Sequence, residues 1–179
     1  MYNYAGNEPL TGADPLCLDT AVIVGGPTGG NPFGHSAIAT TGSGVTSFGT
    51  GTPAGGSTTD YLASQAEYRD STVYIIATTP EQESAIQDAL AGFAGEPLPD
   101  VPSPDSDDTC ASRTNAALAV AGLLDPSNPL ATLGALLGAH SPLPESSAAI
   151  GALESGGNSV HIPQGTTNIP SSLNQFNPQ

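Results

Sequence analysis

Apolar residues in this chain come in short, separated clusters. TAVIV (20–24) is a compact apolar run, and HSAIATT (35–41) alternates in the period-two manner of a strand. GSG (42–44) reads as a tight turn into VTSFGT (45–50), so the two runs predict a β-hairpin. Ser57 and Asp60 are spaced as a capping pair, and YLASQAEYR (61–69) is expected to be a short helix. STVYIIATT (71–79) is the strongest strand, dense in β-branched and aromatic residues. Thr79-Pro80-Glu81-Gln82 opens a helix that runs through Ile86 and Leu90 to Phe93. A Pro/Asp loop (95–108) leads into a further helix over 109–124, with Asp108 or Thr109 as its cap and Gly122 near its end.

From Asp125 the chain is rich in Ala, Leu, Gly, Pro and Ser, with a candidate helix over 130–138. The end of the chain reads as extended and is expected to lie on the body through Ile162, Ile169, Leu173 and Phe176. No internal repeat is visible. The order of elements predicts an α+β fold with a small antiparallel sheet.

Composition narrows the function. Of 179 residues, 17 are Asp or Glu and 2 are basic, giving a formal net charge of −15. The bases are Arg69 and Arg113. Charged residues are 11% of the chain, below the roughly 25% of an average domain, so the imbalance is an absence of bases rather than an excess of acids. Two arginines cannot build a basic groove, so nucleic acid is not an expected partner. Anionic membrane surfaces are disfavoured on the same ground, and no apolar run approaches the ~20 residues of a membrane span. Phosphate chemistry through a P-loop lysine is excluded. The start has neither a basic nor an apolar leader region, so no secretory signal peptide is expected.

Cys110 stands out among the candidate chemical groups. It falls at the start of a predicted helix, where backbone N–H groups and the helix dipole favour a thiolate. Of the three histidines, His35 opens a strand after a Gly-rich loop and is the candidate base. Cys17 and Cys110 could pair, or either could be a free thiol. Neither cysteine has partners at zinc spacing, and Asp105, Asp107 and Asp108 lack the glycine and glutamate of an EF-hand loop, so neither metal nor cofactor is expected.

Three blocks carry a resemblance: GHSAIATTGSGVTSFGTGT (34–52), VYIIATTPEQESAIQDAL (73–90) and DTCASRTNAALAVAGL (108–123). In this order they resemble the circularly permuted papain-like hydrolases, which include the NlpC-type and lecithin:retinol acyltransferase groups. The resemblance implies a permuted papain-like fold, with the sheet packed on a helix that bears a nucleophilic Cys110. His35 would be the base. The residue orienting it would lie on the next strand, where Ser47 is best placed, with Thr46 and Thr50 behind it. Thr109 stands where this family usually has Asn, and none of the orienting candidates is a carboxylate or a His. His140 and His161 read as surface residues, although His161 could approach the site from the tail. Arg113, one turn beyond Cys110, could favour the thiolate or a substrate carboxylate, or be a solvated helix arginine.

YNYAGNEPLTGADPLCL (2–18) resembles the end of an Rhs core, with Cys17 at the usual glycine and Asp14 at a motif aspartate of the shell's protease. It implies that 1–18 ends the shell, with self-cleavage just beyond, and that 19–179 is a C-terminal toxin. Within the toxin, the papain-like core would cover about 20–124 and the tail 125–179.

Together these resemblances imply a cysteine hydrolase effector, delivered into a target cell by a type VI system and acting in its periplasm or cytosol. The expected partners are a cognate immunity protein, the Rhs shell and the secretion machinery. A peptidoglycan peptide amide is the leading substrate. The alternatives are an acyltransferase or esterase acting on lipid, a protein deamidase, or a non-catalytic membrane-active module using 123–152. A nuclease fits poorly with so few bases.

Overall fold

The structure, a computed structural model, describes residues 18–98, 108–123 and 158–179. Residues 1–17 of the expected shell end (1–18), with Asp14 and Cys17, and Asp105, Asp107, His140, the candidate helix 130–138 and most of 123–152 lie outside the described residues.

The described chain is α+β. Five strands, β1 (Asp19–Gly25), β2 (His35–Thr40), β3 (Gly44–Thr46), β4 (Ser71–Ala77) and β5 (Asn158–Ile162), form one open antiparallel sheet in the order β3-β2-β1-β4-β5. The helices are α1 (Thr58–Ala66), α2 (Pro80–Gly92) and α3 (Cys110–Val120), with a 3₁₀ helix at Ser171–Phe176.

The central position of β1 explains its continuous apolar run, because both of its faces are covered. Ala21 and Ile23 point to one side, with Ala37, Ala39 and Val73, and pack under Tyr61 and Leu62 of α1 and under Leu173 and Phe176. Val22 and Val24 point to the other, with Ile38 and Ile76, and pack under Ile86 and Leu90 of α2 and Ala117 and Leu118 of α3. The sheet is therefore a middle layer. Its strands are mostly buried on both faces, so a modest hydrophobic content of 37% suffices for two cores.

Local signals set most boundaries. Thr79 and Gln82 form a reciprocal capping box, as their spacing predicts. Thr109 caps α3, with Ser112 returning the bond. Gly122 ends α3 in the left-handed region, and Leu123 N–H reaches back to Leu118 C=O at 3.0 Å. Three predicted spans shift. The helix expected over 61–69 lies at 58–66, because the Ser57 hydroxyl accepts from Asp60 N–H and starts the helix there. This releases Tyr68 and Arg69 into the turn before β4. The strand expected over 45–50 stops at Thr46, because the chain bends at Phe48 and Gly49 takes a φ of 76°. The helix expected over 109–124 covers only 110–120.

The tail packs through Ile162, Ile169, Leu173 and Phe176, the residues its sequence suggests. Part of it is more ordered than an extended segment, since 158–162 completes the sheet beside β4. Asn177 then accepts from Thr59 N–H at 3.1 Å, and Gln179 N–H donates to Gly42 C=O at 3.0 Å. The end of the chain thus ties α1 to the β2–β3 turn. Phe176→Ala is expected to cost about 3–5 kcal/mol in denaturant unfolding, because the ring is fully buried among α1 and sheet residues. A loss under 1 kcal/mol would mean that the tail is a loose appendage.

Candidate active site

His35 is placed by the loop before it. Asn31 shapes that loop, its side-chain amide donating to Gly34 C=O at 2.6 Å and its carbonyl accepting from Phe33 N–H at 3.1 Å. Gly34 has a φ of 81°, and a Cβ there would lie 2.5 Å from Gly25 C=O, so only glycine brings the chain into β2 at this angle. His35 follows, buried, on the sheet face shared by Ala37 and Ala39.

Ser47 meets it from the end of β3. Its Oγ lies 2.8 Å from His35 Nε2 and accepts from Thr50 Oγ1 at 3.0 Å. Burial pushes the phenol of Tyr61 on α1 up to about 12, with the Ser47 hydroxyl a smaller influence in the opposite direction. One serine hydroxyl therefore holds an imidazole and a threonine. With Nε2 engaged by Ser47, Nδ1 is the ring nitrogen without that partner.

Cys110 is the first residue of α3 and a free thiol. The capping box occupies Ser112 N–H, and Arg113 N–H bonds to Thr109 C=O. The two remaining amides of the first turn, those of Cys110 and Ala111, act on the Cys110 sulfur, as does Ser36 N–H from β2. His35 and Cys110 line one cleft of about 540 Å³, together with Phe33, Phe48, Thr50 and Leu98, with Glu96 and Asp108 also on its wall.

The electrostatics differ from the sequence expectation. The helix start was expected to lower the thiol, but burial outweighs the three amides and the Arg69 charge, and the Cys110 thiol is pushed up. Burial, with the Arg69 charge second, pulls His35 from 6.5 down to about 4. At neutral pH the resting pair is a thiol beside a neutral imidazole.

Arg113 is neither a solvated helix arginine nor a partner of the thiol. Its side chain is 1% exposed. Nε and Nη2 donate to the two Asp108 carboxylate oxygens at 2.7 and 2.6 Å, and Nη1 donates to Glu96 C=O at 2.8 Å. Its guanidinium carbon lies 4.9 Å from the Phe48 ring centre and 5.2 Å from that of Phe93. His161 does not reach the site either. It sits on β5, across the sheet from β2, and meets Thr72 at 3.3 Å. Asp108 is committed to Arg113, and no group of three or more metal-ligating side chains occurs among the described residues.

Sequence reasoning missed Tyr61 and Arg69. Nothing local marks Tyr61, which joins the site through packing of α1 on the sheet. Arg69 carried a usable signal, being one of two cations in the chain. Comparison with protein-family models, with curated proteins and with solved structures finds no match to this chain.

His35 supplies a pH test. The unfolded imidazole takes a proton near 6.5 and the folded one only near 4. The unfolded state therefore binds more protons between these values, and stability falls as pH drops through that window. The loss attributable to His35 is about 3 kcal/mol by pH 4. Denaturant unfolding of the parent and His35→Gln at pH 7, 5.5 and 4 should show a shallower fall in the variant. Parallel curves would mean that His35 is solvated.

Proposed function

We propose that the chain is a cysteine hydrolase with a permuted papain-like arrangement, in which Cys110 is the nucleophile, His35 the general base and Ser47 the residue that orients it. The observation that carries this reading is that His35 and Cys110 line one cleft, with one nitrogen of the imidazole held by Ser47. The order strand-His, strand, helix, helix-Cys agrees with the three sequence blocks that resemble that family.

The neutral resting pair defines the chemistry. His35 Nδ1 takes the Cys110 proton as the sulfur attacks a carbonyl carbon, so thiolate forms within the step rather than before it. Negative charge passes to the carbonyl oxygen, for which the backbone amides at the start of α3 are available donors. The imidazolium returns its proton to the leaving amine or alcohol, leaving a thioester on Cys110. Water, deprotonated by His35, then releases the acyl group and restores the thiol. Ser47 provides a hydrogen bond without a charge, which orients the ring but stabilises imidazolium less than a carboxylate would.

As substrate we propose an amide of a peptidoglycan peptide, with a lipid ester and a protein glutamine as the alternatives. The biological setting we propose is that of a toxin at the end of an Rhs protein, carried by type VI secretion and neutralised by an immunity protein. The sequence of residues 2–18 supports that setting.

Cys110→Ala and His35→Ala should each abolish toxicity in a target bacterium while a cooperative thermal transition is retained. A Cys110→Ala chain that still kills would end this reading. Ser47→Ala should lower kcat/KM by roughly tenfold, the value of one orienting hydrogen bond of about 1.4 kcal/mol. Expression of the 179-residue chain with and without a periplasmic leader separates the substrates. Lysis only with the leader indicates cell wall, and toxicity only without it indicates a cytosolic protein or lipid.

A further inference from the structure

Arg69 is the second buried cation, and it is held very differently from Arg113. It lies in the turn between α1 and β4 and is 8% exposed. Nη1 donates to Gly26 C=O at 3.3 Å, and the guanidinium carbon lies 5.1 Å from the Tyr68 ring centre. Its Nε has no partner, and among the described residues no carboxylate lies within ion-pair distance of it. Two more buried polar atoms nearby in sequence, Gln65 Oε1 and Ser71 Oγ, are also unpaired. A buried charge without a counter-charge is costly.

The side chain is also guided to a particular place. A Cβ on Gly25 would lie 2.8 Å from Arg69 Cδ and 3.3 Å from Nη1, so the bare glycine lets the guanidinium lie across the end of β1. Gly25 is the register partner of His35 on β2 and of Ser71 on β4. The guanidinium thus sits one strand from His35. Its charge lowers His35, second to burial, and favours the Cys110 thiolate as the smallest of the influences on that thiol. The other groups around the pair are Ser47 and Thr50 from the β3 side, Tyr61 from α1, and Glu96 and Asp108 on the cleft wall, Asp108 being committed to Arg113.

We propose that Arg69 is a positioning residue of the thiol site, its buried guanidinium serving as the counter-charge of the Cys110 thiolate and of the oxyanion that follows it. This rests on the reading of Cys110 as nucleophile. Arg69 exchanges no proton. The thiol proton goes to His35 and then to the leaving group, while the Arg69 charge favours each negative species and disfavours a long-lived imidazolium. A carboxylate paired with Arg69 would cancel part of that field at the sulfur.

The test is the pH dependence of Cys110 alkylation by iodoacetamide in the full chain carrying Cys17→Ser. Arg69→Gln should raise the midpoint by about one pH unit, which is about tenfold slower alkylation at a fixed pH below it. Arg69→Lys, which keeps the charge, should restore most of the rate. An unchanged midpoint in Arg69→Gln, or equal shifts in both variants, overturns the proposal. If Arg69→Gln does not fold, the unsubstituted arginines report instead. The chain has two arginines, so its two Nε–H signals are readily assigned by nitrogen-15 NMR. The Arg69 signal should move with the Cys110 midpoint, and a signal that stays fixed overturns the proposal. Alkylation needs no turnover. Failure here therefore leaves the hydrolase reading standing, and a toxic Cys110→Ala chain would end that reading without touching the Arg69–thiol coupling.

Discussion

The cleft depends on one buried guanidinium. Arg113 makes no hydrogen bond to Cys110 although it is one turn along the same helix, and it spends its hydrogen bonds on the cleft wall. Through Asp108 it fixes the two residues before the nucleophile, and through Glu96 C=O it fixes the segment after α2. Through its contacts with Phe48 and Phe93 it fixes the residue after Ser47 and the end of α2. Three stretches of chain, at Phe48, at Phe93 to Glu96 and at Asp108, are thereby held around one planar cation. Arginine suits this role because its fork matches a carboxylate while its faces accept aromatic rings. A lysine would offer a point charge and no faces.

The two arginines divide the electrostatic work. Arg113 is neutralised in place by Asp108, and its contribution is to shape. Arg69 has no carboxylate partner among the described residues, so its field acts on the surrounding titratable groups. Burial raises the thiol and lowers the imidazole, which keeps both neutral at rest. In a chain with a formal charge of −15, two cations placed inside the fold have more effect than many placed on its surface, where water and salt would screen them.

The sheet explains how residues from both of its faces reach one cleft. His35 belongs to the face covered by α1 and the 3₁₀ helix, whereas α3 covers the other face. They meet because His35 is the first residue of β2 and Cys110 the first residue of α3, so both stand at the end of an element rather than in its middle. Ends of strands and helices carry unpaired backbone donors and open space. That is why Ser36 N–H and the first-turn amides of α3 are available to the sulfur.

Local sequence by itself determined most element types, the capping box at Thr79, a cap at Asp108 or Thr109 for α3, and its stop near Gly122. Each of these rests on contacts within a few residues, which periodicity and capping chemistry report. Ser47 was legible only through the family resemblance, since one hydroxyl among many carries no local mark. Tertiary structure alone decided the rest. It turned the tail into a fifth strand, because β4 had a free edge to fill. It turned Arg113 inward and brought Tyr61 and Arg69 to the site, because those placements depend on how α1 and α3 pack on the sheet. It also reversed the expected direction of the thiol, because desolvation is set by what surrounds a group in space and not by its neighbours along the chain.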